Sequence, residues 1–253
     1  MANRQHLDLL KQGVTSWNEW RRENPDTSPD LSELDLQGLD LEGVNLGEAD
    51  LHGTNLSEAN LSGANLIASD LSRADLSDAT IIGANLVVAK LSRAILKKAV
   101  LLEACLIMAN LSGANLSEAD LRRAYLSRAN LRGIDLSKAI LCKAYLRNAR
   151  LRGADLTQAD LNEADLYEAD LSGATLILAN LSSARLSRAV LNGADLRRAI
   201  VCEACLHEAK LNGVDMWHAD LSGADLLDAV LNETKLDGAN LKGMIPSCER
   251  PRV

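Results

Sequence analysis

Cys202-Glu203-Ala204-Cys205 is a stretch whose residue types and spacing match a redox or metal site. A zinc site needs four ligands and usually draws them from a second such pair. The chain holds five Cys, an odd number at no framework-like spacing, which argues against a disulfide scaffold and fits a reducing compartment. The four His (His6, His52, His207, His218) are dispersed, with no H-x-H or H-E-x-x-H spacing. Asp and Asn are abundant, yet they recur at a fixed interval, which suits a hydrogen-bonded ladder. A catalytic carboxylate pair instead needs a cleft that perturbs it. The glycines do not gather into a phosphate-binding loop. These features assign no catalytic, cofactor-binding or metal-ligating residue. The expectation is a protein that is not an enzyme and carries no cofactor.

A different chemistry is written in the charges. Between Arg122 and Arg152 nine basic residues (Arg122, Arg123, Arg128, Arg132, Lys138, Lys143, Arg147, Arg150 and Arg152) face one acid, Asp135. The whole chain has a net charge of −8, and residues 1–60 alone carry 12 acids against four bases. Tyr125 and Tyr145 fall inside the basic belt, so an anionic partner or a nucleic-acid backbone is one reading. A solvated surface that rings the molecule, or attraction of the belt to the acidic end of another copy, is the other.

The elements that position these residues come from a repeat. Leu recurs at every fifth position from Leu31 to Leu241, 40 times in 43, the exceptions being Ile81, Val201 and Met216. So strict a recurrence is a solenoid signature. Each such residue is the centre of a repeat. Two before it stands a small residue, usually Ala, and one before it stands Asp or Asn, as in Ala59-Asn60-Leu61. The alternation apolar, polar, apolar is a three-residue strand pointing in, out, in. The next two residues turn a corner. Of the 16 Gly, 14 occupy the second corner residue, where a type II turn requires positive φ.

A chain that turns every five residues coils. Four turns close a square of 20 residues, and the Gly at 113, 133, 153, 173, 193 and 213 recur at that interval, although a shorter period of ten fits them too. Stacked at the usual strand spacing, about 11 coils make a rod roughly 50 Å long. The interior is Leu on Leu with no Phe anywhere, and the small residue is required because four Leu already crowd each layer.

The tandem A-(D/N)-L-x-x pattern, as in the stretch SEANLSGANL over residues 57–66, resembles the pentapeptide-repeat family. The resemblance covers 215 of the 253 residues. It implies an all-β fold, a right-handed quadrilateral parallel β-helix, here with a short N-terminal α-helical cap. Many relatives place Phe at some centres, and this chain does not. Some members of the family mimic DNA and bind type II topoisomerases (gyrase), protecting them from quinolones. That reading is the alternative to an interaction or scaffold role. Against it stand the absence of insertions in the repeat, the Phe-free core, the lack of an evident C-terminal dimerisation helix and a basic belt where a DNA mimic needs negative charge.

The ends divide the chain into a helical cap (1–30), the β-helix (31–245) and a C-terminal tail (246–253). Leu7, Leu10, Val14 and Trp17 sit at helical spacing, Gly13 breaks the run, and Ser16-Trp17-Asn18-Glu19 reads as a capping box opening a second helix that ends at Asn24-Pro25. The tail is too short for a second helical cap, so that end is expected to be open or paired with another molecule. No apolar run matches a signal peptide or a membrane span, and a cytoplasmic protein without membrane contact is the expectation.

Because the interior is generic, specificity is expected on the outside. Apolar residues replace polar ones at the corners at Ile67, Ile82, Val87, Val88, Leu102, Ile107 and Met108, with Val100 and Cys105 nearby. On a four-sided grid they fall on two adjoining faces over about three coils, and exposed apolar patches of that kind mark contacts. Ile177 and Leu178 form a smaller echo on another face. The partner expected is a protein or a second copy, with nucleic acid disfavoured.

Overall fold

A computed structural model describes residues 3–246. From Asp30↔Asp50 to Asp225↔Ile245, each residue before a centre pairs in parallel with the residue 20 further along. That register removes the ambiguity left by glycine, because a period of ten would have paired neighbours at half the separation. Four ladders therefore run the length of the rod. The first face carries Asp30, Asp50, Asp70 and Lys90, and the second Asp35, Asn55, Asp75 and Ile95. The third carries Asp40, Asn60, Thr80 and Val100, and the fourth Asn45, Asn65, Asn85 and Cys105.

Each repeat satisfies its backbone in the same way. In the coil around Leu56, the Leu56 N–H donates to Asp75 O (2.7 Å) and the Glu58 N–H to Ser77 O (2.8 Å). The Ala59 N–H closes the corner on Leu56 O (3.1 Å), and the Asn60 N–H reaches back to Leu39 O (3.0 Å). The outward Asp or Asn locks the corner as well, because its carbonyl or carboxylate oxygen accepts the N–H two residues on, as Asn55 Oδ1 does from Ser57 N (3.1 Å). Asn amides also bridge coils, as from Asn55 to Asp35 (2.8 Å) and from Asn60 to Asp40 (2.9 Å).

Glycine turns out to be optional. The second corner residue has positive φ at all 43 corners, and 29 of those residues are not Gly. A left-handed residue with a Cβ costs roughly 1–2 kcal/mol, so the ladder bonds on either side must hold the conformation. Val88 (φ 52°) is a β-branched residue held there, a placement that bulky side chains rarely accept.

Inside, the centres from Leu31 to Leu226 and nearly all small residues between them are fully buried. Thr54 and Ser69 take small inner positions and are buried without orphaning a hydroxyl, since each donates to a backbone carbonyl, Leu31 O and Leu66 O (2.8 Å each). Burial loosens at the far end, where Leu231 and Leu236 are half-buried and Leu241 is 40% exposed. The tail from residue 247 on lies outside the described residues.

Before the first coil stand α1 (Arg4–Leu10) and α2 (Val14–Glu23). Leu10 and Trp17 join the same buried cluster as Leu31 and Leu36, and Trp17 is wholly enclosed. The Trp17 indole N–H donates to Asn45 O (2.8 Å), and the Arg21 guanidinium donates to Thr27 O and to Gly47 O (2.9 Å). The capping-box reading of Ser16 needs correction, since α2 begins at Val14 and Ser16 lies within its first turn. Gly13 precedes α2 without a side-chain cap, while Asn3 caps α1 by accepting from Gln5 N (2.9 Å). Asn18, on the same helix, reaches the β-helix instead. Its amide donates to Gly43 O (3.0 Å) and its oxygen accepts from Asn45 N (2.8 Å), tying α2 to the first coils.

Candidate interaction surfaces

Corner geometry decides which side chains share a surface. The first corner residue leans back over the outward residue of its own strand, as the hydroxyl of Ser57 does over Asn55 Oδ1 (2.7 Å). The second turns toward the next face, so Met108, Arg128 and Glu168 share a shallow depression with Asn130, Arg150 and Asp170 of the first face.

By that rule the apolar strip divides. Ile67, Val87 and Ile107 stack in one column beside Asn65, Asn85 and Cys105 of the fourth face. Val88 and Met108 turn from the same corners toward the first face, where they are 41% and 55% exposed. Ile82 and Leu102 lie at the edge of the third face, beside Thr80 and Val100. The fourth face therefore carries an aliphatic column on its edge toward the first face, while its other edge holds Gly63, Gly83 and Glu103, with Ile82 and Leu102 beyond them on the third face. Continuing up its ladder come Tyr125 and Tyr145, whose rings stack at 4.9 Å and 6°.

The basic belt divides too, and its parts differ in kind. Arg122 is forked onto Asp120 (2.6 Å), Arg123 pairs with Glu103 (3.2 Å), Lys143 with Glu163 (3.4 Å) and Arg147 with Asp165 (4.0 Å). These four serve the third and fourth faces, where bases and acids alternate. Arg128, Arg132, Arg150 and Arg152 belong to the first face, and among the described residues none has a carboxylate within 4.0 Å. Arg152 lies directly over Arg132, since the Gly133 N–H donates to Arg152 O (3.1 Å). Lys138 stands apart, at the corner between the second and third faces. An even ring of charge is thus replaced by one face of unpaired arginines and two of neutralised pairs.

This division bears on the nucleic-acid reading. The tyrosine stack and the unpaired arginines occupy different faces, and the bases beside the tyrosines are already matched by acids. The Arg147 guanidinium also covers the neighbouring Tyr167 ring at 4.8 Å. Single-strand binding needs aromatic platforms and free cations along one groove.

The cysteines are likewise separated. Cys202 contacts Ser182 Oγ (3.2 Å) on the third face and Cys205 contacts Ser187 Oγ (3.1 Å) on the fourth. Among the described residues no group of His, Cys, Asp and Glu is arranged to hold a metal. Burial and the Asp160 carboxylate, which accepts its S–H at 3.0 Å, push the Cys142 thiol up to about 12, so it stays protonated at neutral pH. The hydrogen bonds from the Arg197 guanidinium hold Asp195 below the usual carboxylate range.

The sequence model of Pentapeptide repeats matches in eight copies spread over residues 30–243. The chain is a pentapeptide-repeat protein. Among solved pentapeptide-repeat structures it is similar to HetL, described as involved in heterocyst differentiation regulation in the cyanobacterium Nostoc sp. Strain PCC 7120. The identity is 33%, over 90% of this chain and 92% of that one, with a TM-score of 0.50. QnrB1, a plasmid-mediated fluoroquinolone resistance protein, aligns at 21% identity over 88% and 91% of the two chains, with a TM-score of 0.40. Rfr23 from the cyanobacterium Cyanothece 51142 aligns at 34% identity over 38% and 60%, with a TM-score of 0.22. No curated protein matches the chain. Among the described residues no helix is long and apolar enough to cross a membrane.

Proposed function

We propose that this pentapeptide-repeat protein is a non-enzymatic, cytoplasmic interaction rod that binds a protein partner through the apolar column on the edge of its fourth face. The observation that carries the reading is the column of Ile67, Val87 and Ile107. At that corner position the repeat most often places Ser, and here three coils in succession carry an aliphatic side chain instead. Ile82 and Leu102 add a second apolar strip on the adjoining third face. A contiguous apolar surface on a soluble rod is a contact site. α1 and α2 act in this reading as the cap that closes the first coil. The topoisomerase-binding reading is less favoured, because unpaired arginines occupy a face where a DNA mimic needs acids.

A Val87→Glu, Ile107→Glu double variant should fold with the stability of wild type, since both side chains point outward and the same corner position already accepts Glu42 and Asp237. In pull-downs from matched extracts, proteins retained by wild type are expected to be lost from this variant and kept by an Ile177→Glu control on another face. An identical set of retained proteins for both variants would contradict the proposal.

A further inference from the structure

The first face carries an arrangement that the apolar column of the fourth does not explain. Read up its length, Glu48, Asp50 and Asp70 come first, then the exposed Val88 and Met108, then Arg128, Arg132, Arg150 and Arg152. Asp70 shares its charge with Lys90 at 3.4 Å. The four arginines have no carboxylate within 4.0 Å among the described residues. On the fourth face a cation stacks against an acid one coil away, as Lys143 does with Glu163 (3.4 Å), and farther along the first face Arg188 does so with Glu168 (3.8 Å) and Glu208 (2.8 Å). Among the four arginines Arg150 has Asp170 in the next coil without coming within 4.0 Å of it, and Arg152 stacks on Arg132, like charge on like.

We propose that the first face is a self-association surface, on which a second copy packs antiparallel about a two-fold axis at the level of Val88 and Met108. A two-fold axis across the rod reverses the order of the coils, so every contact occurs twice. Asp50 and Arg150 lie equally far on either side of the level between Val88 and Met108, about 12 Å at the usual strand spacing. The acidic segment of each copy then meets the basic segment of the other. At the axis Val88 of one copy meets Met108 of the other, and the reverse.

That centre also accounts for the strained valine. Val88 holds a left-handed conformation (φ 52°) at a corner where Gly is cheapest, and it does so with its side chain 41% exposed. An apolar side chain kept there at a conformational cost gains by being covered. Glu168 and Asp170 fall opposite the first coil and Asp30, where like charges repel, so the two rods cross at an angle that parts their ends. The same two acids, together with Glu48, Asp50 and Asp70, oppose a nucleic-acid backbone laid along this face.

The test uses charge reversal at exposed positions whose ladder equivalents already hold Lys or Arg. Wild type is expected to be dimeric by light scattering at low salt and to dissociate as salt is raised. Asp50→Arg alone places Arg against Arg at both ends of the contact, and Arg150→Asp alone places acid against acid, so each variant should be monomeric. Mixing the two variants restores opposite charges at both ends, and a heterodimer should form. A Val87→Glu, Ile107→Glu variant, altered on the fourth face, should remain dimeric, which separates this proposal from the partner-binding one. A wild type that is monomeric across a concentration series overturns the proposal, as does a mixture that stays monomeric. A monomeric wild type that binds a single-stranded oligonucleotide through these arginines overturns it in favour of nucleic acid.

Discussion

Trp17→Ala is expected to destabilise the protein by about 3–5 kcal/mol, the usual range for deleting a buried aromatic side chain. Trp17 is fully enclosed, its indole N–H donates to Asn45 O at 2.8 Å, and its ring lies 5.3 Å from Trp20 and 6.4 Å from His6. Truncation opens a cavity between α2 and the first coil and leaves the Asn45 carbonyl without that donor. Solenoid coils contact only their neighbours, so the damage should enter from the end. Urea unfolding followed by circular dichroism should show the lower midpoint, and amide exchange should show the first coils losing protection before the middle ones. A Trp17→Phe variant, which keeps most of the apolar volume and loses only the donor, should lose distinctly less.

Leu126→Ala should cost about 2–5 kcal/mol, whereas the same change at Leu241 should cost less than about 1 kcal/mol. Both are centres of repeats with Ala two residues before them. Leu126 is 1% exposed with coils above and below it, while Leu241 is 40% exposed at the last described coil. The small Ala residues flanking Leu126 are rigid and cannot fill the void. Chemical denaturation of the two variants side by side measures the difference. Equal losses would mean that the last coil is covered as completely as the middle of the rod.

Much of the fold was legible because a single spacing repeats without interruption. The Leu centres and the small inner residues identify the strand, its inward face and the crowded core from sequence alone. What glycine suggested about the corners was incomplete. Glu58 and Arg73 take the same left-handed conformation as Gly53 and Gly63, because ladder bonds impose it whatever the residue. The capping box at Ser16 failed because α2 begins two residues earlier, at Val14, and the tie of Asn18 to the backbone of the first coils is a tertiary contact that local pattern does not contain.

The surfaces were less legible, since a position in a solenoid acquires neighbours only once the number of residues per coil is known. Ile67 and Ile107 are 40 residues apart in sequence and two coils apart in one column. The basic belt read as nine similar residues. Register shows that Arg123 has Glu103 in the adjoining coil, whereas Arg132 lies between Ser112 and Arg152. The acidic residues Asp50 and Asp70 that complete the first face lie far away in sequence, and nothing local connects them to Arg150.

Small-angle X-ray scattering on wild type at low salt tests most directly whether this rod works through its sides. A single rod of about 11 coils is roughly 50 Å long. The account predicts the mass of a dimer together with a maximum dimension only slightly above that of one rod and a broadened cross-section. A dimer about twice as long would mean association through the ends, and a thin rod of monomer mass would mean no self-association; either would contradict side-by-side pairing through the first face.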